Sequence, residues 1–164
     1  MKPGKEHLEC IKEENSEEED ERQWERSKIV FDRFHEYLLN RGLKERTADD
    51  RTQRVVFYVM NYLFVYEDVE NILEASADTI RTFLGNWYIR KFWDPNMPEI
   101  KSFLRAILDF YKFLVKEGLA SEASLEEMEE VCKDVPWFEM RLRTYFAADG
   151  DEFHEWLQEY NYDW

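Results

Sequence analysis

Residues Val55 to Tyr66 constrain this chain most, because eleven of the twelve are apolar or aromatic and only Asn61 is not. A helix built from such a run is hydrophobic all round and needs neighbours on every side. Twelve residues cannot span a bilayer, which takes about 20, and charged Glu67, Asp68 and Glu70 follow at once. A buried strand would end after roughly 4–8 residues, yet no Gly or Pro interrupts positions 47–84. The expectation is therefore a central helix, with Thr47 as its N-cap and Asp49 and Asp50 in a first turn whose dipole favours carboxylates. Thr47, Arg51, Arg54 and Tyr58 then share one face.

The other segments carry helical periodicity too. From Ser27 the pattern sharpens, with Val30, Phe31, Phe34, Tyr37 and Leu38 on one helical face that Gly42 stops as a C′ residue. Ser76 is placed to cap a helix carrying Ile80, Phe83, Leu84, Trp87 and Tyr88, which the Trp93–Pro98 stretch breaks. From about Pro98 to Glu117, Ile100, Phe103, Leu104, Ile107, Leu108, Tyr111, Leu114 and Val115 fall at 3–4 spacing. The opposite face of that helix bears Lys101, Arg105, Lys112 and Lys116. FHEYLLNRGL (34–43) and FYKFLVKEGL (110–119) match through shared helix-ending chemistry. Ser124-Leu125-Glu126-Glu127 has the pattern of a capping box, Pro136 suits a helix start, and Phe153, Trp156, Leu157 and Tyr160 mark a last helix. The expected core contains Val30, Phe34, Leu38, Val56, Val59, Leu63, Phe83, Phe103, Ile107, Tyr111 and Leu114.

The net charge of −15 opposes nucleic acid as a partner, since DNA binding depends on Lys and Arg neutralising phosphates. The acids, however, sit at the two ends. Residues 1–40 hold seven bases and twelve acids, residues 41–118 twelve of each, and residues 119–164 three bases and thirteen acids. The Glu17–Glu21 run and Pro3-Gly4 make residues 1–26 an acidic segment, either mobile or a solvated helical lead-in. Two cysteines, Cys10 and Cys132, have no metal-type spacing, and no apolar leader or membrane-length run is visible, so a reduced, cytoplasmic protein without a membrane partner is expected.

Catalytic chemistry is hard to find. His35-Glu36 and His154-Glu155 open like the zinc-protease helix but lack its second histidine. Asp149-Gly150-Asp151-Glu152 lacks the alternating ligands and closing Glu of a calcium loop. Five glycines never cluster into a phosphate cradle, and three scattered histidines offer no base and orienter for a nucleophile. No enzyme activity, cofactor or metal is expected. What remains is a pair of basic faces: Arg46, Thr47, Arg51 and Arg54 at the start of the central helix, and Lys101, Arg105, Lys112 and Lys116 further on.

The order of these motifs resembles the N-terminal core-binding domain of tyrosine recombinases and phage integrases. The resemblance rests on Phe34, Tyr37, Leu38, Gly42 and Leu43, then Thr47 and Arg51. It resumes at Leu104, Ala106, Ile107, Phe110, Tyr111, Phe113, Leu114, Gly118 and Leu119, and covers residues 27–120. It implies an all-α, four-helix SAM-like bundle that clamps duplex DNA with its second and fourth helices, the two that carry the basic faces here. The family's catalytic domain is not carried over, because the 44 residues after position 120 contain no H-x-x-R motif.

The sequence thus predicts an acidic segment (1–26), a core-binding-like helical domain (27–120) and an acidic, aromatic-rich helical extension packed on it (121–164). The expected function is non-catalytic binding of double-stranded DNA through the phosphate backbone. The alternative is a protein-interaction module without DNA binding. Its surface would carry Trp137, Phe138, Trp156, Tyr160, Tyr162 and Trp164 amid a net charge of −10 over residues 119–164, and its partner would be a recombinase, a second copy, or the chain's own basic faces.

Overall fold

The computed structural model describes residues 5–66 and 75–159, with side chains, Tyr66 apart, from Glu17 onward. Among these residues every regular element is helical, so the chain is all-α, as expected. It divides after Leu43 into two compact units.

The first unit is a single helix, α1 (Lys5–Asn40), which runs through the expected boundary at 26/27. Nothing in its sequence stops it: no Gly or Pro falls between Lys5 and Arg41, and Glu, Lys and Arg are good helix formers. Ser27, from which the core face was expected, is a buried mid-helix residue in line with buried Phe31, Phe34 and Leu38; Val30 is half-buried. The stop falls where expected. Gly42 takes φ 90°, its N–H donates to the Leu39 carbonyl, and the Leu43 N–H reaches back to Leu38. Gly118 repeats this with φ 71° and bonds to Val115 and, from Leu119, to Leu114. The two similar decapeptides are therefore two copies of one helix-ending motif.

In the second unit the central run forms α2 (Glu45–Phe57), a π-helical segment π1 (Tyr58–Leu63) and α3 (Phe64–Tyr66). Two expectations fail here. The N-cap is Lys44, not Thr47, because the chain leaves the Gly42 turn already extended and enters the helix at once; Thr47 is exposed in the first turn. Nor is the run enclosed on every side, since Asn61 and Val65 are exposed.

The next helix is also interrupted: α4 (Ala77–Thr82), π2 (Phe83–Trp87) and α5 (Tyr88–Lys91). Ser76 does cap it, its N–H donating to Thr79 Oγ1 at 3.1 Å. The two π segments pack their rings on one another, with centroids 4.8 Å apart for Tyr62–Phe83, 5.1 Å for Tyr58–Phe83 and 5.4 Å for Tyr62–Trp87. Phe103 closes the cluster edge-on to Phe83 at 5.4 Å. Phe103 belongs to α6 (Met97–Lys116), whose N-cap Asn96 accepts from the Glu99 N–H at 3.0 Å. Val59, Leu63, Ile107, Tyr111 and Leu114 are buried as expected, while Val56 is half-buried and Val55 and Tyr58 take the deeper positions.

Among the described residues three more helices follow: α7 (Glu122–Lys133), α8 (Val135–Ala147) and α9 (Asp151–Gln158). Helix α7 packs on α4 and α6, and α8 on α6, π2 and α9. The cap of α7 is Ser121, whose hydroxyl accepts from the Ser124 N–H at 3.1 Å, so the helix begins before the expected Ser124 box. The end of α9 is clasped by Arg141, fully buried although charged. It donates through Nε to the Gly85 carbonyl at 2.9 Å and through Nη2 to the Trp156 carbonyl at 3.1 Å. Nη1 donates to the Glu159 carboxylate at 3.1 Å, and the guanidinium lies 3.9 Å from the centroid of the Trp156 ring. Asn86 adds bonds from Nδ2 to the carbonyls of Leu157 and Glu159. The wider turn of a π segment lies at the centre of this clasp. Gly85 there leaves no room for a Cβ, which would meet the Trp137 ring at 2.6 Å.

Candidate nucleic-acid interface

Packing of α2 on α6 brings the two expected basic faces into one region, together with carboxylates that answer part of their charge. Arg51 donates to Asp109, a largely buried carboxylate on the same side of α6 as the lysines. Arg54 is bidentate on Glu99, with Nη1 at 2.7 Å and Nη2 at 3.3 Å, and its Nε donates to Asp50 at 3.0 Å. Its guanidinium also lies 5.1 Å from the Phe103 ring centroid. Burial works against the charge of Arg54, but the bonds to Glu99 and Asp50 outweigh it and hold the pKa above the ordinary guanidinium value. These two arginines join helices.

The remaining candidates face water. Arg46, Thr47, Lys101, Arg105 and Lys116 are exposed and Lys112 is half-buried. Lys101, Arg105, Lys112 and Lys116 fall within one stripe of α6, since offsets of 4, 11 and 15 residues return to nearly the same azimuth at 3.6 residues per turn. The carboxylate nearest that azimuth, Asp109, is the one engaged by Arg51. Exposed Glu45, Asp49 and Asp50 stand beside Arg46 and Thr47, so the start of α2 offers less net positive charge than α6 does.

Two groups of side chains escaped sequence reasoning. Arg141 sits in an acidic, aromatic region, and no spacing rule separates it from exposed Arg143 two residues on. Trp93, placed in a helix-breaking stretch, stands fully in solvent. Of the aromatics expected to form an interaction surface, Phe138 and Trp156 are buried core residues and Trp137 is half-buried against Gly85. Tyr160, Tyr162 and Trp164 lie outside the described residues.

The groups with chemical potential are buried or dispersed. Burial pushes the Cys132 thiol up to about 12, with Glu129 adding to it, and burial likewise pushes the Tyr111 phenol up to about 12 and Tyr58 well above its ordinary range. The Tyr58 and Tyr111 hydroxyls influence one another, but neither has a hydrogen bond of good geometry. Cys10 lies outside the described side chains. Among the described residues no three His, Cys, Asp or Glu side chains converge as a metal site, and no helix is long and apolar enough to cross a membrane. Comparison with protein-family models, with curated proteins and with solved structures gave no significant match.

Proposed function

We propose that this chain is a non-catalytic double-stranded DNA-binding protein, related in architecture to the SAM-like core-binding domain of tyrosine recombinases. The observation that carries the proposal is the α6 stripe of Lys101, Arg105, Lys112 and Lys116, whose one intervening carboxylate, Asp109, is engaged by Arg51. Such a stripe fits a phosphate backbone and carries no base-reading geometry, so binding is weakly specific at most. Arg46 and Thr47 extend the footprint, while Arg51 and Arg54 hold α2 against α6 and set the stripe's position. The attraction comes from the stripe's own cations against an overall charge of −15, and it is these phosphate contacts that make binding weaken as ionic strength rises.

The test is a fluorescence-anisotropy titration of a labelled duplex with the full-length protein. Saturable binding at about 20 mM salt, weakening linearly on a log–log plot as salt rises, is the expected outcome. Absence of any anisotropy change at about 20 mM salt overturns the proposal, since this is where phosphate contacts are strongest.

A further inference from the structure

The junction of α8 and α9 leaves an aromatic face in solvent. Phe146 is 65% exposed and Phe153 37%. Tyr145 links them, with ring centroids 5.4 Å from Phe146, 6.0 Å from Phe153 and 5.0 Å from buried Trp156. The cluster is thus rooted in the core at Trp156 and open at Phe146. Large exposed rings cost solvation unless something covers them, and aromatics anchored in this way are the residues that dominate protein interfaces.

The charges around the rings say what covers them. Between Arg143 and Glu159 the chain places Asp149, Asp151, Glu152, Glu155 and Glu159 against Arg143 and His154. Asp149, Asp151, Glu152 and Glu155 are all exposed, and they lie in the turn between Phe146 and Phe153 or within one turn of Phe153 itself. Glu159 already serves Arg141. An apolar centre with a one-sided acidic rim matches a helix bearing apolar side chains at i, i+3 and i+4 flanked by Lys or Arg.

We propose that the Phe146–Tyr145–Phe153 face docks a basic amphipathic helix of a partner protein. The rings receive the partner's apolar stripe, and the Asp149–Glu155 carboxylates pair with its flanking bases. This face is separate from the α6 stripe, so the inference stands whether or not the chain binds DNA.

A fluorescein-labelled amphipathic Lys/Leu peptide of about 18 residues, five turns of helix, serves as the probe. It is titrated with the full-length protein, with Phe146→Ser and with Trp93→Ser. The Phe146→Ser change leaves the net charge untouched, so general attraction of a cation to an acidic protein cannot imitate the effect. Affinity should fall at least about fivefold in Phe146→Ser, stay within about twofold of wild type in Trp93→Ser, and weaken between about 50 and 300 mM salt. Phe153→Ser, at a second exposed ring, provides an independent check and should show the same fall. Loss of less than about fivefold in both ring variants overturns the proposal, because an anchoring ring is worth more than that. Binding that emerges only after residues 160–164 are removed also overturns it, since the chain's own end would then be the occupant.

Discussion

The stripe of α6 and the clasp of α8 and α9 use cations in opposite ways. On α6, Lys101 and Arg105 stand in water. In the clasp, Arg141 is enclosed completely and spends its donors on the carbonyls of Gly85 and Trp156 and on Glu159. One region keeps its charge available to a ligand. The other converts charge into a structural joint and leaves aromatic rings and carboxylates on the surface. Regional charge counts miss this distinction, because a guanidinium satisfied inside the fold contributes little to the field outside it. Arg51 and Arg54 are intermediate, near the surface yet committed to Asp109, Glu99 and Asp50.

The comparison breaks most visibly at Arg141. Arg141→Met keeps the apolar stem but strands two carbonyls and faces them with a thioether. It should cost about 3 kcal/mol in a denaturant melt, because buried acceptors then lose their donor. A loss under about 0.5 kcal/mol would mean that the clasp is solvated and that Arg141 belongs with the surface cations.

Gly85→Ala sharpens the same point from the other partner. In an ordinary helix this change gains up to about 1 kcal/mol. Here the added Cβ would meet the Trp137 ring at 2.6 Å, so a net loss of about 1–2 kcal/mol is expected from overpacking. A gain in melting temperature would contradict the close approach of α8 to π2.

The smallest effect on stability belongs to the stripe. Lys101→Ala combined with Arg105→Ala should leave the denaturant midpoint within about 0.5 kcal/mol of wild type, as is usual for exposed positions without structural partners. A larger loss would place these cations in the fold's own ion-pair network.

How much of this was legible in the sequence depended on whether the signal was local. Gly42-Leu43 and Gly118-Leu119 announced their helix ends because the motif is written in neighbouring residues, and the 3–4 spacing of α6 exposed its core face for the same reason. Thr47 misled because Lys44, directly after a tight glycine turn, left no room for a later cap. The π segments have no local signature. They arise where Tyr58, Tyr62, Phe83 and Trp87 pack as large rings between two helices. The pairing of Arg51 with Asp109 spans 58 positions, and that of Arg141 with Gly85 spans 56. No periodicity can reveal such partners. The candidate basic faces were therefore visible as residues, but their division into bound and available charge required the tertiary contacts.

That division is tested most directly by measuring duplex affinity for two full-length variants side by side, Arg51→Ala and the Lys101→Ala, Arg105→Ala double variant. If the exposed stripe makes the phosphate contacts, the double variant should lose about tenfold in affinity and flatten the log–log salt slope by about 2. Arg51→Ala, kept at a temperature where it remains folded, should stay within about twofold of wild type while losing stability from the broken Arg51–Asp109 pair. The reverse pattern, with affinity lost in Arg51→Ala and kept in the double variant, would contradict the account.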